Sequence, residues 1–246
     1  DVSSYSIVSF PQSFIESIRI VPDLDNSRFI VTPVIQNSHR GLKFRAILLS
    51  SNGQKLTTIR ASAASGLAHV LRVPKPRPWG PDDPYLYPLQ LELLDGMQVV
   101  DSVKSYAGLR KFHIESNKFF LNNKPIFLRH VLDQGFYPDG IWTAPSDAAL
   151  KADIELSLAV GFNGARLHQK VFEERFHYWA DRLGYITWGE ICDWGGAHSF
   201  ANPQGIHNQQ REWRGVVMRD RNHPSIVAWT PFNETSGAAR NQFEAH

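Results

Sequence analysis

Four clusters of polar residues in the second half of this chain each follow a short apolar run. Asp133, Gln134 and Tyr137 come after Ile126-Phe127-Leu128. Arg166, His168 and Gln169 close the run from Phe162. Glu190, Asp193 and Trp194 come after Tyr185-Ile186-Thr187-Trp188, and Asn233, Glu234 and Thr235 come after Ser225 to Thr230. Carboxylates, amides, a guanidinium and an imidazole beside aromatic rings suit carbohydrate. A sugar ring stacks an apolar face on Trp or Tyr and offers hydroxyls to the polar groups. Cleaving a glycosidic bond takes two carboxyl groups that flank it, one of them protonated when it meets the leaving oxygen. Glu234, at the end of a buried run, is the leading candidate for one of the pair. The plain reading of Glu234 is a helix cap or a structural ion-pair partner.

For these clusters to meet, the apolar runs must be parallel strands, because functional groups in such folds gather past the carboxyl ends of the strands. The pattern from about Pro125 onward fits. Pro145-Ser146 offers a helix start with Ser146 as cap, Leu150, Ile154 and Leu158 recur at four-residue spacing, and Gly161 stops the helix. Phe176, Trp179, Ala180 and Leu183 share a second helical face that ends at Gly184, and a third helix runs from about Asn208 to Asp220 before Pro224. Strand and helix alternate, so the second half is either an open α/β sheet or the first half of a barrel.

The first half has a period of two. Ile18 and Ile20 alternate with Ser17 and Arg19, and Leu89, Leu91 and Leu93 alternate with Gln90 and Glu92. Asn52-Gly53 and Asp95-Gly96 are hairpin turns. Short alternating strands at this spacing predict an antiparallel sandwich of about 100 residues. The Pro-rich segment from Pro74 to Pro81 reads as a loop, with Trp79 buried at one end of the sandwich. The expected division is 1–108 for the sandwich and 109–246 for the α/β part.

Composition narrows the classes. Hydrophobic residues make up 42%, charged residues 20% and aromatics 12%, an ordinary globular profile that argues against disorder. Lys and Arg total 26 against 24 for Asp and Glu, a net charge of +2, with no dense basic block to argue for nucleic acid or an anionic membrane. No apolar run reaches the roughly 18 residues of a membrane span. One cysteine, Cys192, forbids an internal disulfide and is expected to be a buried spectator. The start lacks both an initiator Met and a leader pattern, so the chain is expected to be part of something longer. Localisation is left open.

Five stretches, in order, resemble glycoside hydrolase family 2, which includes β-galactosidases, β-glucuronidases and β-mannosidases. Trp79-Gly80-Pro81-Asp82-Asp83-Pro84-Tyr85-Leu86-Tyr87 resembles the end of its immunoglobulin-like domain. Phe120 to Arg129 resembles the start of its barrel, Gly161 to Arg166 its second strand, and Ala180 to Glu190 its third. Asn222-His223-Pro224-Ser225-Ile226-Val227-Ala228-Trp229, then Asn233-Glu234, resembles its acid/base signature. The resemblance implies an all-β immunoglobulin-like sandwich followed by the first four βα units of a (β/α)8 TIM barrel. It implies a retaining, β-galactosidase-like hydrolase of terminal β-linked sugars. Glu234 would be general acid and then base, Asn233 would bind the sugar 2-hydroxyl, and Arg166 would hold the nucleophile carboxylate. The partner would be an oligosaccharide or glycoside, with no cofactor.

Departures from the family pattern limit what carries over. The family nucleophile is a second Glu after strand seven, and this chain ends at His246, soon after strand four. The chain on its own would then be a catalytically silent scaffold or binding fragment. Two copies pairing to close one barrel would be a homo-oligomeric solution to the exposed strand edges. His168 stands two positions past Arg166, where many members have a His three positions past. Glu190 is present, but Cys192 replaces the His that helps some members hold a cation, so no metal is expected. Glu190 then reads as part of an internal charge network more readily than as a catalyst. His168, Asp133 and Gln134 divide between substrate contact and packing or loop hydrogen bonds. Trp194 reads as either a sugar platform or a loop plug, and Trp79, Trp179 and Trp213 as core.

Overall fold

In a computed structural model, which describes residues 11–193 and 203–234, the chain divides into two units. The first comprises residues 1–77 and 86–109. Its strands are β1 (Phe14–Asp23), β2 (Arg28–Gln36), β3 (Lys43–Leu49), β4 (Lys55–Ser62), β5 (His69–Arg72), β6 (Tyr87–Asp95) and β7 (Gln98–Ala107). They form two antiparallel sheets, ordered β1-β2-β5 and β4-β3-β6-β7. Period-two patterning decides which side chains go in. Phe29, Val31, Pro33 and Ile35 of β2 are buried while their neighbours are only partly covered. Phe44, Ala46, Leu48, Leu71, Leu89, Leu91 and Leu93 complete the core. Both expected hairpins are present, with Gly53 at φ 84° and Gly96 at φ 60°. These are left-handed conformations that cost glycine little.

The second unit comprises residues 78–85 and 110–246. It begins with a small antiparallel sheet of β8 (Phe112–Glu115), β9 (Lys118–Leu121) and β10 (Lys124–Pro125). There follow β11 (His130–Asp133), α1 (Asp147–Ala159), β12 (Gly164–Leu167), α2 (Glu174–Leu183), β13 (Ile186–Glu190), α3 (Pro203–Asp220) and β14 (Ile226–Thr230). The last four strands form one parallel sheet in chain order, β11-β12-β13-β14. Leu150, Ile154, Phe176 and Ala180 pack with Ala165, Leu167 and Tyr185 under it. The Ser146 side chain accepts from the Ala149 amide at 3.1 Å, capping α1. Gly184 ends α2 in the left-handed region at φ 73°.

Three expectations need correction. Ile126-Phe127-Leu128 is not the first parallel strand. That strand begins at His130, and Phe127 is 77% exposed. The run is apolar, but the Ile126 amide is spent on the Phe119 carbonyl, which ties it to the small antiparallel sheet. Trp79 is buried, but it belongs to the second unit and not to the sandwich. Its indole N–H donates to the Asp181 backbone carbonyl at 2.7 Å, and its own carbonyl accepts from Asn122 Nδ2 at 2.9 Å. Cys192 is exposed, because the chain has already left β13 there.

At the amino end of β14, polar groups tie α2 and Arg110 to the strand and the turn before it. Asp181 is wholly buried and accepts from the Ser225 amide (2.9 Å) while pairing with His223 Nδ1 (2.6 Å). The Arg110 guanidinium donates to the carbonyls of Pro224 and Ile226 at 2.8 and 2.6 Å. The Asn-His-Pro-Ser stretch thus anchors the strand that bears Asn233 and Glu234.

Candidate active site

The carboxyl ends of β11 to β14 lie side by side, so the residues just past them share one rim. The His168 amide donates to the Asp133 carbonyl at 2.7 Å, extending the first pairing to the tip of β12. The centre of the rim is the Glu190 carboxylate, fully buried at the end of β13. It accepts from Arg166 Nε (2.7 Å), Arg166 Nη2 (3.3 Å) and the Gln169 amide (3.1 Å), and pairs with His168 Nδ1 (2.9 Å). Burying a carboxylate is costly unless it is paired and hydrogen-bonded. Glu190 is therefore engaged on both oxygens, as an internal charge network requires.

Arg166 reaches further. Its Nη2 also donates to Asn233 Oδ1 at 2.8 Å. That contact fixes the amide orientation, since a guanidinium only donates. Asn233 Nδ2 is left buried with no hydrogen-bond partner among the described residues. The Asn233 backbone amide donates to Asp193 Oδ2 at 2.9 Å. Burial pushes the Asp193 carboxyl up, the Asn233 amide opposes that, and the nearby Glu190 charge adds to it. A continuous set, His168–Glu190–Arg166–Asn233–Asp193, thus ties the tips of three strands together. Glu234 follows on a left-handed backbone at φ 57° and is exposed to solvent.

Asp133 meets this set through its backbone carbonyl, not through its carboxylate. Asp133 is part-buried, and its Oδ1 accepts from the Gly135 amide at 2.8 Å. Burial raises its pKa, the Gly135 hydrogen bond and Lys170 pull it down, and Asp153 pushes it up. Gln134 is exposed on the loop that follows. Trp194 lies outside the described residues. Sequence reasoning missed Asp193 and the Gln169 amide as anchors. An Asp just after a buried strand was visible, but its partner, the Asn233 amide past β14, was not.

Among the described residues, no group of three or more His, Cys, Asp or Glu side chains could hold a metal ion. The second place expected of a cation pair is an exposed Cys192.

Comparison with known proteins decides the family. "Glycosyl hydrolases family 2" matches residues 13–110, and "Glycosyl hydrolases family 2, TIM barrel domain" matches residues 112–245. The chain belongs to glycosyl hydrolase family 2. A beta-galactosidase of Photobacterium profundum is 26% identical over 268 residues, covering 98% of this chain and 25% of that protein. A beta-glucuronidase of Paenibacillus borealis is 27% identical over 236 residues, covering 91% of this chain and 38% of that protein. The solved β-glucuronidase of Ruminococcus gnavus in complex with D-glucuronic acid superposes with a TM-score of 0.85. At 22% identity that match speaks for the fold, over 96% of this chain and 40% of that one. The chain therefore spans about a quarter to two fifths of these family 2 relatives. The four parallel strands are the start of the family's TIM barrel, preceded by its immunoglobulin-like sandwich.

Proposed function

We propose that the full-length protein carrying this chain is a retaining O-glycosidase of terminal β-linked sugars. Glu234 serves as general acid and then general base. The observation that carries this reading is the Glu190–Arg166–Asn233 chain of contacts, which fixes the residue next to Glu234 at the rim. Asn233 Nδ2, buried and unspent beside Arg166, is a donor for a substrate hydroxyl, and the 2-hydroxyl is the one assigned to it. Exposure of Glu234 lets it meet first the departing oxygen and then water. Arg166, held by Glu190, is a positioning residue for Asn233, and His168 braces Glu190 from the other side.

The test is Glu234→Gln in the full-length protein, assayed on nitrophenyl β-glycosides and on an unactivated disaccharide. Loss of the acid should cost roughly 10²–10⁴-fold on the poor leaving group and much less on nitrophenolate. Equal turnover of the disaccharide by both forms would remove Glu234 from the acid role. Comparing β-galactosides with β-glucuronides selects the sugar, and NMR of the first-formed anomer tests retention.

A second reading applies to the 246-residue chain alone, as a catalytically silent binding fragment. It is favoured by the state of the rim carboxylates. Glu190 is fully hydrogen-bonded, Asp193 accepts a backbone amide and Asp133 caps its own loop, so none of them offers a second catalytic carboxylate. Steady hydrolysis by the purified chain would overturn that reading. Pairing of two copies through the β11 and β14 edges is part of the same proposal, and light scattering showing a monomer at high concentration would count against it.

A further inference from the structure

The loop between β11 and α1, residues 134–146, carries more bracing than an ordinary surface connection and yet displays bare aromatic rings. Phe136 and Trp142 are 65% and 66% exposed. Under them, Tyr137 is buried, its hydroxyl donating to Asp153 Oδ2 at 2.6 Å. Tyr137 and Ile141 exchange both backbone hydrogen bonds, at 2.8 and 2.9 Å. The Lys170 ammonium, its side chain 10% exposed, donates to the carbonyls of Gly135 (2.9 Å) and Trp142 (2.7 Å). The Ala144 amide donates to Glu173 Oε1 at 3.2 Å.

This bracing holds a strained conformation. Ile141 sits at φ 56°, a left-handed backbone that a β-branched residue adopts at a cost of about 1–3 kcal/mol. Such strain persists where surrounding contacts over-determine it, and it clusters at ligand clamps. The loop leaves β11 at the same end of the sheet as Asn233 and Glu234. Lys170, which pins it, is two residues past His168, the partner of Glu190. Gln134 and Asp139 on the same loop are exposed and supply polar groups.

We infer that this loop is a carbohydrate subsite, with Trp142 and Phe136 stacking on the pyranose ring that leaves with the glycosidic oxygen. Gln134 and Asp139 would hydrogen-bond its hydroxyls. The inference rests on the glycosidase reading above and adds where the leaving sugar is held. A pyranose fits because its axial C–H groups form an apolar face of one ring's size and its rim carries hydroxyls. Two exposed rings set in a hydrogen-bonded polar loop match that chemistry, whereas an obligate protein interface would be broader and more continuously apolar.

The test uses the full-length protein with Trp142→Ala, Phe136→Ala and Trp142→Phe. Both side chains are exposed in this chain, and circular dichroism of each full-length variant against wild type checks that it folds. Two substrates with the same β-linked glycone are compared: a disaccharide, and a glycosyl fluoride, which has no leaving ring. For Trp142→Ala, kcat/KM on the disaccharide should fall about tenfold, with the fluoride changed by less than roughly twofold. Trp142→Phe should recover most of the loss. Equal losses on both substrates, or no loss on either, would overturn the proposal. Calorimetric titration of the disaccharide into wild type and Trp142→Ala, both on a Glu234→Gln background, reads the subsite without turnover. If wild type hydrolyses nothing, the glycosidase reading fails, and unchanged binding in this titration independently removes the subsite. A change of oligomeric mass in Trp142→Ala with unaltered disaccharide affinity would assign the rings to a protein interface instead.

Discussion

Replacing Glu190 by Gln keeps the shape of the side chain and removes its charge. The carboxylate is fully buried and meets two Arg166 nitrogens, the His168 ring and the Gln169 amide. A Gln side chain offers one oxygen and one NH2 group. If the oxygen faces Arg166, the NH2 opposes the Gln169 N–H; if it faces Gln169, the NH2 opposes Arg166 Nε. Either way a donor meets a donor. Hydrogen bonds to a charged group are worth about 1.5–3 kcal/mol each, and removing one partner of a buried pair costs about 3–5 kcal/mol. Arg166 is 33% exposed, so water recovers part of its solvation and the expected loss is about 2–4 kcal/mol. With a urea m-value of about 2 kcal/mol/M, the midpoint should fall by about 1–2 M. Urea unfolding followed by tryptophan fluorescence measures this. The surface pair Lys151–Glu155, both partners more than a third exposed, is the control, and Lys151→Ala should change stability by less than about 0.5 kcal/mol. Released from Glu190, Arg166 no longer holds Asn233, so kcat/KM in the full-length protein should fall by at least about tenfold. A Glu190→Gln midpoint equal to wild type would refute the role of Glu190 as the hub of the rim.

Other perturbations have equally definite outcomes. Burial lowers the pKa of His223, but the hydrogen bond and charge of Asp181, with Asp220 and Glu174, outweigh it and leave the pKa raised above 6.5. The stability this gives is complete below pH 6.5 and is lost as pH rises through the raised value, so unfolding free energy should decline on the alkaline side, and Asp181→Asn should flatten that decline. Burial pulls His177 down to about 3 and His130 to about 4, so the unfolded chain takes up protons first and stability should drop from pH 6.5 toward 4. Each group contributes at most about 1.4 kcal/mol per pH unit, and His177→Gln should remove one share. A Cβ on Gly164 would lie 2.0 Å from the Ile186 carbonyl oxygen and 2.4 Å from His130 Nε2, so Gly164→Ala should cost at least about 2 kcal/mol in urea unfolding.

Much of the architecture was legible in local patterns. Alternation in β2, glycines at the hairpins and after α1 and α2, and the Ser146 cap are short-range features, set by backbone sterics and by which face of a strand must be dry. Arg166, His168, Glu190 and Asn233 were legible as neighbours, because parallel strands bring their carboxyl ends together once the alternation of strand and helix is seen, whereas the Asp133 carboxylate turned to its own loop and Gln134 is exposed. Only the tertiary structure decided what those residues do to one another. Arg166 and Glu190 sit on two strands and Asn233 just past a third, and whether Glu190 is a free carboxylate or a buried hub depends on donors 21 to 24 residues away in the chain. Phe127 shows the same limit: apolar sequence marked it for a core strand, but the Ile126 amide was taken by β9 and the ring was left outside. Trp79 is the converse, since its burial depended on the Asp181 carbonyl, 102 residues away, to satisfy its indole N–H. Local sterics and hydrophobic period are written in neighbouring residues, whereas hydrogen-bond partners across a sheet are fixed only when the strands are in register.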